Sequence, residues 1–165
     1  MPISLVPLIQ ADPDAIEALL DAAFGRDRRG RTAYRLREGC AWLPELSFAA
    51  FDGALLVGTL QSWPVALSGF PLVLVGPVAV LPERQGAGIG STLMTAAAAA
   101  LDRTPSVMIG DPDYYRRWGD SAAATACWRV PGPVERDRLL ARAAGPLPAT
   151  GLLAPRALAE PQLAA

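Results

Sequence analysis

Residues 81–94 read LPERQGAGIGSTLM. Gly86, Gly88 and Gly90 alternate with Ala87 and Ile89, and helical spacing begins directly after them. The preceding run, FPLVLVGPVAVLP (70–82), is apolar enough for a buried strand. Strand, glycine loop and helix start therefore follow one another. Backbone N–H groups without side chains can approach an oxygen closely, and a helix N-terminus adds favourable partial charge. Ser91 and Thr92 add hydroxyl donors. A pyrophosphate is the natural guest. The spacing lacks the third glycine of the dinucleotide fingerprint. A plainer alternative stays open, in which the glycines only let a strand turn into a helix.

Working outward, the chain has 165 residues, of which 52% are hydrophobic, enough for one domain with a sizeable core. No apolar run approaches a membrane span, and MPISLVPLIQADPD lacks the pattern of a signal peptide. A cytoplasmic location is expected. The net charge of -1 gives no global pull toward nucleic acid or an anionic membrane, so neither is expected as a partner.

Absences narrow the chemistry further. The chain has no histidine, lysine or asparagine. The common Ser-His-Asp and Cys-His nucleophile systems are excluded, as are the phosphate-loop lysine and Schiff-base chemistry. Cys40 and Cys127 cannot build a usual zinc site without histidine, so no metal is expected and both read as buried free thiols.

The first element is a strand, ISLVPL (3–8). A helix follows, with Asp12 as cap, Pro13 at its first position, Gly25 as stop, and Ile16, Leu19, Leu20, Ala23 and Phe24 on one face. GRDRRGR (25–31) reads as a solvated polar loop, with an anionic ligand as the alternative. TAYRLREG (32–39) reads as a short second helix. LSFAAFDG and ALLVGTLQSWPVAL form a hairpin across an Asp-Gly turn. Gly76-Pro77 interrupts the next strand, where proline cannot donate to the ladder, so a bulge or splay is expected there. A helix runs from Gly88 to about Arg103, SVMIG is a buried strand, and DPDYYRRWG is a helix of about two turns. Beyond Ala122 the signal fades, and ERDRLLARA suits helix or strand. One domain is expected over 1–145, with an Ala/Pro-rich extension over 146–165, either loosely attached or packed on it.

VGPVAVLPERQGAGIGSTLM resembles the acyl-CoA motif of the GCN5-related N-acetyltransferases (GNAT). Its Gln/Arg-x-x-Gly-x-Gly/Ala core falls on Gln85, Gly88 and Gly90. GDPDYYRRWG resembles the segment after the fifth strand in one bacterial branch of that family. The resemblance covers about the first three-quarters of the chain. It implies an α/β fold of α+β type, with a mixed, mostly antiparallel sheet splayed between strands 4 and 5 and flanked by helices. Acetyl-CoA would lie in that splay. The amides of Gln85, Gly86, Ala87, Gly88, Ile89 and Gly90 would hold its pyrophosphate, and Val78, Ala79 and Val80 would pair with its pantetheine arm. The implied activity is transfer of an acetyl group to a primary amine, on a small molecule or a peptide, by direct attack. A homodimer is left open.

Acetyl transfer from a thioester needs a neutral amine, a donor for the developing oxyanion and a proton for the leaving thiolate. Tyrosine, protonated at neutral pH, suits the last role. Helical spacing puts Tyr114 on one face with Trp118, as core, and turns Tyr115 away. The family's general acid commonly stands four before the glycine of a Gly-Phe pair, which also selects Tyr115. Here that pair is Gly119-Asp120, so a carboxylate replaces an apolar anchor. Ala79 is the expected oxyanion donor. Glu38, Glu45 and Asp52 lie on the acceptor side, each expected at the surface, and no base is assigned. Two other readings remain: an acyl-CoA-binding module without transferase activity, and a nucleotide-binding module.

Overall fold

The computed structural model describes residues 2–158. Its strands are β1 (Ile3–Pro7), β2 (Phe48–Asp52), β3 (Leu55–Leu67), β4 (Phe70–Val80), β5 (Ser106–Ile109), β6 (Cys127–Arg129), β7 (Leu139–Arg142) and β8 (Thr150–Pro155). The helices are α1 (Pro13–Phe24), α2 (Thr32–Arg35), α3 (Ile89–Leu101) and α4 (Pro112–Tyr115). The sheet order is β1-β2-β3-β4-β5-β7, with β8 joining β3 and pairing β6. All pairs are antiparallel except β4–β5 and β6–β8. The chain thus has the mixed, mostly antiparallel sheet with flanking helices that the sequence implied.

Local chemistry explains the elements that carry the site. Asp12 accepts from the Asp14 N–H, Pro13 opens α1, and the Gly25 N–H closes it on the Asp21 carbonyl. Ile16, Leu19 and Leu20 are the residues α1 buries against one sheet face. Ile89, Leu93, Met94, Ala97 and Leu101 of α3 pack on the other. With helices on both faces, β3 is buried almost throughout its length, including the polar Thr59, Gln61 and Ser62 at its centre. Ser68 and Gly69, both with positive φ, close the β3–β4 hairpin in the way that matches strand twist.

β4 decides where the cleft opens. It pairs with β5 only at Val73↔Ser106 and Leu74↔Val107. Its pairing with β3 slips between Val75 and Val78, so that Gly76 and Pro77 together oppose Gln61 alone. Beyond this bulge β4 keeps its bonds to β3 and parts from β5, opening the expected V.

Several elements differ from expectation. The DPDYYRRWG helix makes only one α-turn before tightening to 3-10 geometry at Arg116–Trp118. The ambiguous ERDRLLARA segment supplies β7 after a single 3-10 turn. Within residues 146–158 of the extension, β8 lies along Val65–Leu67 and buries Leu153, while Trp128 is fully buried and donates its indole N–H to the Pro148 carbonyl. Residues 159–165 of that extension lie outside the described residues.

Candidate active site

Hydrogen-bond parity along β4 determines which backbone groups face the V. The Val73 N–H donates to the Pro105 carbonyl on the β5 side, at 3.0 Å. The Leu81 N–H donates to the Val57 carbonyl on the β3 side, at 2.9 Å. In an antiparallel ladder successive residues alternate direction, so Ala79, opposite Thr59, also points its N–H and C=O at β3. Val78 and Val80 point theirs into the cleft, and the Val80 carbonyl accepts from the Gln85 side chain at 3.4 Å. This corrects the assignment of Ala79 as oxyanion donor. Its N–H is directed into the sheet and its side chain is buried in the α1 core. The first cleft-facing N–H after the bulge belongs to Val78.

At the far end of that edge, one 3-10 turn (Pro82–Arg84) leads into the glycine loop. Gly86 and Gly88 both have φ +84°, a conformation open to glycine and strained for other residues. Gly88 caps α3. A Cβ on Gly90 would meet the Tyr114 hydroxyl at 3.3 Å. A cavity of about 460 Å³ lies over this loop, walled by Val80, Gln85, Gly86, Gly88, Ile89, Gly90 and Ser91. Ala87 and Thr92 are not in its wall, and the Thr92 hydroxyl donates back to the Gly88 carbonyl at 3.0 Å. Two cations that the sequence reading missed do reach it, Arg84 and Arg117. Arg84 is paired with Asp52, whose carboxyl it holds below the usual range. Arg117 stacks on the Tyr114 ring at 4.5 Å.

A second cavity, about 830 Å³, opens between α1–α2, the β4 bulge and the end of β5. Tyr114 borders both cavities and Tyr115 borders this one. The two rings meet edge to face at 4.8 Å. Tyr115, not Tyr114, packs against the hydrophobic core. The sequence reading had placed Tyr114 in the core with Trp118. Four-residue spacing does bring the Tyr114 and Trp118 rings to 5.4 Å, but α4 tightens after one turn and Trp118, not Tyr114, packs on that core. Trp118 is half-buried against the core, and its indole N–H donates to the Thr95 hydroxyl at 3.2 Å. Gly110 makes room for Tyr115, since a Cβ there would lie 2.4 Å from the ring. Burial, reinforced by Tyr114 and Asp120, pushes the Tyr115 hydroxyl up to about 12. It stays protonated across the neutral range.

Asp120 is 4% exposed. Burial pushes its carboxyl up to about 6, against the opposing pull of Arg142. Glu38 and Glu45 are exposed and outside the large cavity, and Asp52 is held by Arg84. The carboxylates on the cavity wall are Asp111 and Glu135, and Asp111 is engaged as the cap of α4.

The model of the Acetyltransferase (GNAT) family matches residues 14–108. The chain belongs to the GNAT acetyltransferase family. Two solved members superpose along nearly the whole chain. One is a GNAT family acetyltransferase from Brucella melitensis, in complex with acetyl-CoA. It is 27% identical, with a TM-score of 0.68, over 94% of this chain and 97% of that one. The other is the GNAT family N-acetyltransferase YhbS from Escherichia coli, in complex with CoA. It is 26% identical, with a TM-score of 0.70, over 94% of this chain and 89% of that one. Naa50 of Arabidopsis thaliana, 15% identical with a TM-score of 0.57 over 87% of this chain and 99% of that one, shares the fold. No curated protein sequence matches the chain.

Proposed function

We propose that the protein is a cytoplasmic N-acetyltransferase that uses acetyl-CoA and acetylates a primary amine by direct attack. The observation that carries this reading is the β4 edge. Val78 and Val80 turn their backbone groups away from β3 along a line that ends at the glycine-capped start of α3, with the Val80 carbonyl met by Gln85 and Tyr115 on the cavity at the other end. The residues suit acetyl-CoA. The edge matches an amide-bearing arm, and the bare glycine backbone with Arg84 and Arg117 matches a pyrophosphate. Similar solved proteins hold acetyl-CoA or CoA.

Acetyl-CoA supplies an activated acyl group on a sulfur leaving group. The protein's part is to stabilise charge and move protons. The amine nitrogen bonds to the acyl carbon and the carbon–sulfur bond breaks. The Val78 N–H is the donor for the carbonyl oxygen as it gains charge. Tyr115, protonated across the neutral range, gives its proton to the departing sulfur. Glu135 receives the amine proton, directly or through water.

Thiol release from acetyl-CoA with a panel of amines tests the activity and separates it from a binding module that performs no transfer. General acid catalysis contributes roughly a hundredfold or more, so Tyr115→Phe should reduce turnover by about that factor, with acetyl-CoA affinity within a few fold. Equal turnover in the variant would remove Tyr115 from the mechanism.

A further inference from the structure

The large cavity has an unequal set of charges. Arg28, Arg31, Arg37 and Arg138 line it, against Asp111 and Glu135. Two of these arginines sit side by side and are held differently, and the contrast is informative. Arg28 is 2% exposed and ion-pairs with Glu17 and Asp21, while its guanidinium also meets the Tyr34 hydroxyl. Burial works against its charge, but those partners outweigh it and raise its pKa. Arg28 is a structural arginine and the one buried side chain of residues 25–31; residues 26–31 are otherwise exposed, as their charge run implied.

Arg37 has no such partner. It forms no ion pair with any described residue. Its guanidinium stacks on Tyr34 at 3.6 Å and on Trp63 at 4.5 Å. Among the described residues it donates from Nη1 to the Gln61 amide oxygen, at 3.2 Å, with the Tyr34 hydroxyl as a further neutral neighbour. A guanidinium carries five N–H donors, so most of this one is unspent. Burial lowers its pKa, as expected for a charge lacking a counterion. The stacking fixes the plane of the fork and leaves its edge as the route to a partner. Gln61 is the bulge residue opposite Gly76 and Pro77, so this guanidinium is tied to the point where the acyl group would sit.

We propose that Arg37 binds a carboxylate on the acceptor, so that the substrates are small amines that also carry a carboxylate. This rests on the acetyltransferase reading and names the acceptor class for that site. A planar carboxylate matches a planar, pre-oriented fork with two parallel hydrogen bonds. Arg31 and Arg138 add positive potential at the cavity wall and draw anionic acceptors inward.

The test measures CoA release with the proteinogenic α-amino acids and β-alanine, their carboxamides, phosphoethanolamine and putrescine. The best acid should exceed its own carboxamide in kcat/KM by about tenfold or more, the scale of a charged hydrogen bond. Arg37→Gln should raise KM for that acid by about tenfold or more, leave kcat within about threefold and bring acid and amide close to parity. Arg37→Lys should fall between, because it keeps the charge and loses the fork. Retained stabilisation by acetyl-CoA shows that each variant is folded. Should Arg37→Gln fail to fold, the wild-type acid-to-amide ratio and Arg37→Lys still decide. Equal rates for acids and amides, faster reaction of phosphoethanolamine or putrescine, or an Arg37→Gln effect equal on acid and amide would each overturn the proposal. So would an inert panel in a protein that acetyl-CoA still stabilises, and then the cofactor reading survives. If acetyl-CoA does not stabilise the wild type, that reading falls and this one with it.

Discussion

Replacing Asp120 by Asn should make the protein more stable at neutral pH, and the gain should fade as the pH falls. Asp120 is buried, makes no hydrogen bond or ion pair with a described residue, and has its carboxyl raised from 3.8 to about 6. That shift of about two units corresponds to roughly 3 kcal/mol, an upper bound on the cost of carrying the ionised form in the fold. The sign follows from proton counting. A carboxyl with a raised native pKa binds its proton more tightly in the folded state. The favourable contribution is therefore fully present below about pH 4 and is lost as the pH rises through about 6. Asparagine keeps the shape and cannot ionise. Urea unfolding of both proteins from pH 4.5 to 7.5 isolates the group, because all other titrations cancel in the difference. The variant should exceed wild type by about 1–3 kcal/mol at pH 7.5, or roughly 2–10 °C in Tm, with the difference shrinking steadily toward pH 4.5. A difference that is flat with pH, or a less stable variant at pH 7.5, would refute the reasoning and mean that Asp120 is solvated or paired with Arg142.

Two glycines yield further predictions. Gly88→Val puts a branched side chain at φ +84° on the cradle, so calorimetry should show loss of CoA binding while the far-ultraviolet circular dichroism is retained. Unchanged affinity would leave the glycines with a turn-forming role only. Gly110→Ala brings a methyl to 2.4 Å from the Tyr115 ring and must displace it. Overpacking of this kind costs about 1–3 kcal/mol of stability, and turnover should fall with it while CoA affinity is kept.

The parts of the fold that were legible are those with local signals. The Asp-Pro helix starts, the hairpin turns and the glycine loop each depend on a few adjacent residues. The V was visible through Gly76-Pro77, because a missing N–H is a property of the residue itself. The direction of Ala79 was not. Two residues of β4 stand opposite one of β3 at the bulge, and parity depends on that count. β6 and β8 are three and six residues long and pair across distant sequence, so no periodicity announces them. The tyrosines were assigned by α-helical spacing in a segment that leaves α-geometry after Tyr115. Arg28 lay in a run of charges that favours a solvated reading. Its burial depends on Glu17 and Asp21, one turn apart in α1, which only the folded chain brings to it. Arg84 and Arg117 belong to separate segments and meet only across the cradle.

Calorimetric titration with acetyl-CoA, beside NAD and ATP, shows whether the β4 edge and the glycine loop form an acetyl-CoA site. All three ligands carry phosphates, but only acetyl-CoA carries an arm that can pair with Val78 and Val80. Acetyl-CoA should bind saturably, one to one, and at least about tenfold tighter than NAD or ATP, the scale of a few backbone hydrogen bonds. Equal affinity for the three, or no heat with acetyl-CoA, would contradict such a site.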